Sequence, residues 1–274
     1  MNTVDLRIPW TDVDNTASPQ LMVSMMDAFN NTAWLKTHKA KALISLAALP
    51  HGNYLEVGCG TGADAQTLAL QLGKDGRVTG LDSSKTMVDE ATRRASLLAL
   101  PLSFQCGDIY SLPFADHTFD GTYSLVTFDI LQHPAAALNE MVRVTKPGGT
   151  VLVGASDHGT LVIDAQDRQL TRTLLEFFCD NTYSGWIGRQ LPRYFAQAGL
   201  SNIKVQPDTV ALQSPDYPVV KQILLENIVA GAEASGLISQ TQGKQWLTEL
   251  DASYASGTFF ASSTFFVVSG VKPF

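Results

Sequence analysis

Three glycines stand at alternate positions in YLEVGCGTGADAQTLA (residues 54–69), directly behind a strand-like apolar run and directly before a helix-like one. A residue without Cβ permits positive φ and lets the backbone approach a ligand closely, while the first turn of a helix offers N–H groups with no partner of their own. Gly58, Gly60 and Gly62 therefore predict a strand–turn–helix unit whose main chain forms a binding surface. Few folds accommodate such a unit.

The flanking pattern narrows the choice further. From about residue 39, apolar runs alternate with helix-period segments: KALISLAAL reads as a helix, NYLEVG a strand, ADAQTLALQLG a helix, RVTGLDSS a strand with its turn and KTMVDEATRRASLLAL a helix. LSFQCGDI and FDGTYSLVT follow as strands, AAALNEMVRVTK as a helix and GGTVLVGAS as a strand, with the glycines of KPGG (residues 146–149) read as the turn before it. Strands separated by helices imply a parallel sheet covered on both faces, an α/β doubly wound architecture. After Ser156 the rhythm changes to long helical stretches, then a strand candidate IKVQPDTVALQ and a last strand TFFASSTFFVVSGV. The expectation is a single domain with an N-terminal helical cap (1–38), a ligand-binding core (39–156) and a remainder (157–274) carrying helical insertions near 157–185 and 214–257. Insertions of that size usually cover a binding site, because compact domains connect strands with fewer residues.

Composition removes several function classes. Lys plus Arg total 19 against 26 Asp plus Glu, so the net charge of −7 would repel phosphate backbones and no nucleic-acid partner is expected. The N-terminal segment has neither a basic head nor an apolar core, and nowhere do roughly 18 uncharged apolar residues run together as a membrane helix requires. A cytoplasmic location is expected. Cys59, Cys106 and Cys179 are odd in number and lack metal-site spacing, so neither a disulfide framework nor a metal is anticipated.

GCGTGA also fits the G-x-G-x-x-A form of a dinucleotide fingerprint, with Asp82 about twenty residues on, so the glycines alone leave a nicotinamide cofactor open. Carboxylates tip the balance. Glu56 precedes the first glycine by two residues, Asp82 closes the second strand and Asp108 the third, which brings three acids to one sheet edge. Such a rim opposes a pyrophosphate and suits a cationic, phosphate-free nucleoside such as S-adenosylmethionine.

LEVGCGTG, GLDSS, CGDIYSLPFADHTFDGTYS and VRVTKPGGTVLV occur in the order and spacing of the class I S-adenosylmethionine-dependent methyltransferases. Over roughly residues 41–156 the chain most resembles the ubiquinone/menaquinone methyltransferase group and its small-molecule relatives. The resemblance implies a mostly parallel seven-stranded sheet with an antiparallel C-terminal strand, and S-adenosylmethionine as cofactor with S-adenosylhomocysteine as product. It assigns Glu56, Gly58, Cys59, Gly60 and Gly62 to the methionine end, Asp82 to the ribose, Ser83 and Met87 to the adenine surroundings, Asp108 to the adenine amino group and Ile109 to the ring. Gly107 and Ser124 complete the cofactor set.

The acceptor cannot be carried over in the same way, because the loop after the fourth strand, VTFDILQHP, departs from the group's pattern. Candidates for a proton-handling residue are Asp129, His133 and His158, each expected just beyond a strand's carboxyl end; His133 also reads as the residue that opens a helix at Pro134. Candidates for the acceptor pocket are Trp10, Trp186, Arg189 and Tyr217. Arg189 could clamp an acidic acceptor or brace the insertion through an ion pair. The reading is methyl transfer to oxygen, nitrogen or carbon of a small, partly apolar metabolite by a monomer or homodimer. An NAD(P)-dependent oxidoreductase and a non-catalytic S-adenosylmethionine-binding module remain as alternatives.

Overall fold

The computed structural model describes residues 8–274; the first seven residues of the expected N-terminal cap lie outside them. Alternation along the strands explains the layering. In β1 (Asn53–Val57), Leu55 and Val57 enter one core while Tyr54 enters another, and in β5 (Thr145–Ile163) Val151 and Val153 part from Leu152 in the same way. A strand whose successive side chains are buried must be covered on both faces.

Completing the sheet are β2 (Arg77–Asp82), β3 (Leu102–Cys106), β4 (Phe119–Leu125), β6 (Ser201–Leu212) and β7 (Ala261–Val271), in the order β3-β2-β1-β4-β5-β7-β6. The pairs from β3 through β5 are parallel, and β7 runs antiparallel to both β5 and β6. Pro207 is tolerated because β6 lies at the sheet edge, where a missing N–H breaks no inner ladder. The order reverses between β1 and β4, and in open α/β sheets the crevice at such a switch point lies beyond the strands' carboxyl ends.

The helices, in chain order, are α1 (Ile8–Thr11), α2 (Pro19–Asn30), α3 (Ala33–Ser45), α4 (Ala63–Leu72), α5 (Lys85–Ala95), α6 (Pro134–Val144), α7 (Arg168–Asn181), α8 (Ile187–Gln197), α9 (Tyr217–Val220), α10 (Glu226–Ala234) and α11 (Gln240–Ala255). On one face α6 and α8 bury Leu138, Met141, Leu191 and Phe195; on the other α3 with its C-cap Leu46, and α4, bury Leu43, Leu46, Leu68 and Leu72. The N-terminal elements are tied to α5. Asp14 accepts hydrogen bonds from Ser84 Oγ (2.9 Å), Lys85 N (2.7 Å) and Thr86 N (3.0 Å), and Arg94 grips Asp27 through two nitrogens at 2.8 and 2.7 Å.

Three local expectations change. β5 does not end at Ser156 but continues to Ile163, because Ser262 and Ala261 of β7 pair with Val162 and Ile163 beyond a register shift at Asp157. LVI is thus strand rather than the start of a helix; α7 begins at Arg168, with Asp167 Oδ1 accepting Leu170 N–H at 2.9 Å as its cap. Residues 146–149 fall inside β5 at an irregularity in its ladder with β4, where Gly148 turns the chain at φ 78°.

The second insertion forms a core of its own. α9, a π-helical turn (Lys221–Leu225), α10 and α11 join α7 around Leu174, Leu225 and Leu250. Trp246 is almost wholly buried there and donates its indole N–H to Thr171 Oγ1 at 3.0 Å.

Candidate cofactor and acceptor site

The three glycines serve three different contacts. All have positive φ, at 76°, 48° and 77° for Gly58, Gly60 and Gly62. A Cβ on Gly58 would lie 2.1 Å from Thr127 Oγ1, and one on Gly62 would lie 2.5 Å from Phe104 of β3. Those two glycines admit their neighbours. Gly60 meets nothing nearer than Met26 at 3.8 Å, and its freedom is needed for backbone shape alone.

Backbone hydrogen bonds from Gly58 and Cys59 to Leu81 O (2.8 and 3.0 Å) fasten the turn to β2, so the end of one strand positions the loop after another. Asp82 continues that link. Its Oδ2 accepts Gly60 N–H at 2.8 Å and its Oδ1 accepts Ser84 N–H at 3.0 Å, while burial raises its pKa above the ordinary carboxylate value. Asp108 is exposed and accepts Tyr110 N–H at 2.8 Å. Both carboxylates face one cavity of about 630 Å³.

Glu56 does not reach that wall. It lies 1% exposed beneath the glycine turn, where Tyr123 OH donates to it at 3.4 Å, and burial, reinforced by the nearby Asp64 charge, pushes its carboxyl well above the usual range. The rim expected to carry three acids instead presents Asp82, Asp108 and Asp64. Ser124 is likewise inside the sheet, fully buried, donating to Val57 O at 2.7 Å. Gly58, Cys59, Gly60, Ser83, Met87, Gly107 and Ile109 all line the cavity, and Gly62 stands behind it.

At its other end the cavity is apolar. Trp34, Leu161, Phe178, Leu212, Leu224 and Phe265 wall it, contributed by α3, both insertions and the sheet. Two buried titratable groups also line the cavity. Asp129, on a 3-10 turn after β4 (Thr127–Ile130), is 5% exposed, and burial holds its carboxyl well above the carboxylate range despite the hydrogen bond it accepts from Ser156 N at 3.0 Å. His158 packs against the Phe178 ring at 4.4 Å, and burial lowers its pKa to about 4, so the imidazole is neutral at physiological pH. His133 is not at the cavity: it is the N-cap of α6, exposed, with its ring edge-on to Tyr110.

Of the four residues expected in the acceptor pocket, Trp10 lines the cavity and three do not. Arg189 is engaged with Asp157, which is fully buried: Nε lies 2.5 Å from Oδ2 and Nη2 2.7 Å from Oδ1. Trp186 stacks on that guanidinium at 4.4 Å. Tyr217 is buried in the second insertion, where its hydroxyl donates to Asp251 at 3.0 Å. Lys39, Asp64 and Asn30, absent from the sequence reading, do line the cavity. Lys39 carried no local signal of its own, since α3 also holds Lys36, His38 and Lys41 and its sequence does not single out one cation. Among the described residues no group of three or more His, Cys, Asp or Glu is placed to hold a metal, and no helix is long and apolar enough to cross a membrane.

Comparison with known proteins bears on family and fold. A family described as a methyltransferase domain matches residues 55–153. The chain is 36% identical over 251 residues to an uncharacterised 37.1 kDa protein of transposon Tn4556 from Streptomyces fradiae, covering 90% of this chain and 70% of that one. It is 29% identical over 204 residues to a demethylmenaquinone methyltransferase of Bacillus cytotoxicus, covering 67% and 85%. In fold it is similar to phosphoethanolamine N-methyltransferase 2 of Haemonchus contortus, solved with S-adenosyl-L-methionine (TM-score 0.63, 17% identity, 100% of this chain and 61% of that), and to YcgJ of Bacillus subtilis (TM-score 0.60, 17% identity, 87% and 99%).

Proposed function

The chain belongs to the class I S-adenosylmethionine-dependent methyltransferases, and we propose that it methylates an uncharged, partly apolar small molecule held in the arm of the cavity walled by the helical insertions. The observation that carries this reading is the single cavity of about 630 Å³, which joins the glycine turn and the rim carboxylates to an apolar arm.

The residues present fit the cofactor. Asp82 would hold the ribose hydroxyls, Asp108 the adenine amino group, and Ser83, Met87, Gly107 and Ile109 would flank the base; all of them line one end of the cavity. When bound, S-adenosylmethionine supplies a methyl group on a positively charged sulfur. A rim of carboxylates favours that charge and disfavours a diphosphate, which speaks against a nicotinamide dinucleotide.

The chain's own contribution to transfer is exclusion of water, alignment and proton handling. Lys39 is the one Lys or Arg among the described lining residues, and it is paired with Asp64 at 2.7 Å. Arg189 is bound to Asp157. Among the described lining residues no unpaired cation is left to receive a phosphate or carboxylate on the acceptor, which supports a neutral one. Asp129, a buried carboxyl whose proton affinity is raised, would take the proton from an acceptor hydroxyl, amine or acidic carbon. Neutral His158 would orient the acceptor through its ring nitrogens. Two features support a small acceptor: the net charge of −7, which disfavours nucleic acid, and the walls contributed by the insertions.

Incubation with methyl-labelled S-adenosylmethionine and a panel of neutral phenols, amines and short-chain demethylmenaquinone analogues, beside phosphorylated and carboxylated counterparts, tests the reading. Label should enter neutral members. Transfer confined to anionic members, or to protein or nucleic acid, would defeat it.

A further inference from the structure

One pairing in the sheet sets two polar side chains against the cavity. Asp157 of β5 stands opposite Thr264 of β7 in the antiparallel ladder, and the register shifts just beyond that pair. The Asp157 carboxylate turns to Arg189 of α8, so by alternation the next residue on each strand, His158 and Ser263, lies on the other face. Both line the cavity. His158 packs there against Phe178, and Ser263 stands between the cavity-lining Val210, its partner on β6, and Phe265, two residues along β7. Ser263 is thus a hydroxyl set in an apolar wall.

The protein uses neither polar group. Ser263 Oγ and the two ring nitrogens of His158 make no hydrogen bond with a described residue, and the imidazole is neutral at physiological pH. Among the described residues the wholly buried side-chain nitrogens and oxygens without a partner are Trp34 Nε1 and His38 Nε2, so the Ser263 and His158 atoms are open to the cavity they line. A hydroxyl covered by an apolar ligand loses its water, and the loss goes uncompensated unless the ligand brings a polar group to it. The wall favours a ligand that does so.

Asp129 marks a separate polar point on the same cavity. Its carboxyl is tied to Ser156 N at 3.0 Å, two residues before His158, and two residues of extended chain span about 7 Å.

We propose that Ser263, with His158 beside it, is a specificity-determining contact for the acceptor, binding an oxygen that lies across an apolar body from the atom whose proton Asp129 takes. The proposal rests on the reading of the apolar arm as the acceptor site. A serine hydroxyl and a neutral imidazole each donate and accept, so together they read a neutral hydroxyl or carbonyl and offer no charge to a carboxylate or phosphate. A site built around such a contact discriminates against an analogue that lacks the oxygen, because its own polar groups are then left unpaired.

The test is calorimetric titration of the full chain, in excess S-adenosylhomocysteine, with 1-naphthol and 1,5-dihydroxynaphthalene, rigid neutral ring systems that carry one hydroxyl or two on opposite edges. Wild type should bind the dihydroxy compound about three- to tenfold more tightly, the worth of one neutral hydrogen bond. Ser263→Ala should erase that preference while leaving S-adenosylhomocysteine affinity, titrated separately, unchanged. Ser263→Thr, which keeps the hydroxyl, should retain it. A preference missing in wild type, kept in Ser263→Ala or lost in Ser263→Thr would overturn the proposal. Failure of both ring compounds to bind wild type would instead remove the acceptor arm itself, and the proposal with it.

Discussion

Asp129 Oδ1 accepts the backbone N–H of Ser156 at 3.0 Å, which ties the 3-10 turn after β4 to β5 two residues before His158. Alternate strand residues share a face, so this bond sets the carboxyl and the imidazole against the same cavity. Replacing Asp129 by Asn keeps an acceptor for Ser156 N–H and removes the proton site. Methyl transfer should fall by about 10²- to 10⁴-fold in kcat, with S-adenosylhomocysteine affinity unchanged. Wild-type activity should rise with pH as the carboxyl ionises above the ordinary carboxylate value, and the variant should lose that rise. Steady-state kinetics across pH would show it, and full activity in Asp129→Asn would mean that the acceptor's proton leaves unaided.

Asp82→Ala removes the carboxylate proposed to hold the ribose and frees Gly60 N–H from its partner. Cofactor affinity should drop by about 1.5 to 3 kcal/mol, or roughly ten- to hundredfold. Isothermal titration with S-adenosylhomocysteine measures this directly, and unaltered binding would place the ribose elsewhere.

His158 couples stability to pH in a known direction. Its pKa falls from 6.5 to about 4 because burial disfavours the imidazolium, so below pH 6.5 the unfolded chain binds a proton that the folded chain refuses. Its contribution is flat above 6.5, weakens as pH falls from 6.5 to 4, and levels off below; the full span amounts to at most ~3 kcal/mol. His38 has the same sign, whereas Glu56 and Asp129, with raised values, gain stability as pH falls. The difference between wild type and His158→Phe isolates the term. Urea denaturation at pH 8 and pH 5 should show a smaller acid-side loss in the variant, and parallel curves would contradict it.

Arg189→Met leaves the fully buried Asp157 without its cation. Because the guanidinium is nearly half exposed and Asp157 keeps the Gly159 and Arg189 backbone N–H donors, losing the cation should cost about 1 to 3 kcal/mol, less than for a fully buried pair. Chemical denaturation should show a drop in midpoint. A variant with native stability and a raised KM for an acidic acceptor would restore Arg189 to the role of clamp.

Much of the fold was legible because its causes are local. Apolar runs separated by helix-period segments specify a covered parallel sheet, and the alternate glycines mark the turn at its switch point. The end of β5 was not legible, since its extension to Ile163 depends on β7, a partner about a hundred residues later in the chain. Ser124, which the resemblance put in the cofactor set, and Tyr217, expected at the acceptor pocket, are each held by a partner that only the fold supplies, Val57 O and Asp251.

Backbone chemistry carried by neighbours in the chain was therefore set by the amino-acid order alone: a glycine turn with positive φ, strands ending in Asp82 and Asp108, and a family of enzymes to which those motifs belong. Which charges are free, and where they face, was decided in three dimensions. Glu56 went beneath the turn and Lys39 came to the wall with Asp64, a residue 25 positions away; Arg189 went to Asp157, 32 positions off. An ionised group taken out of water must find an opposite charge or a proton, and the packing of distant elements determines which of these it meets.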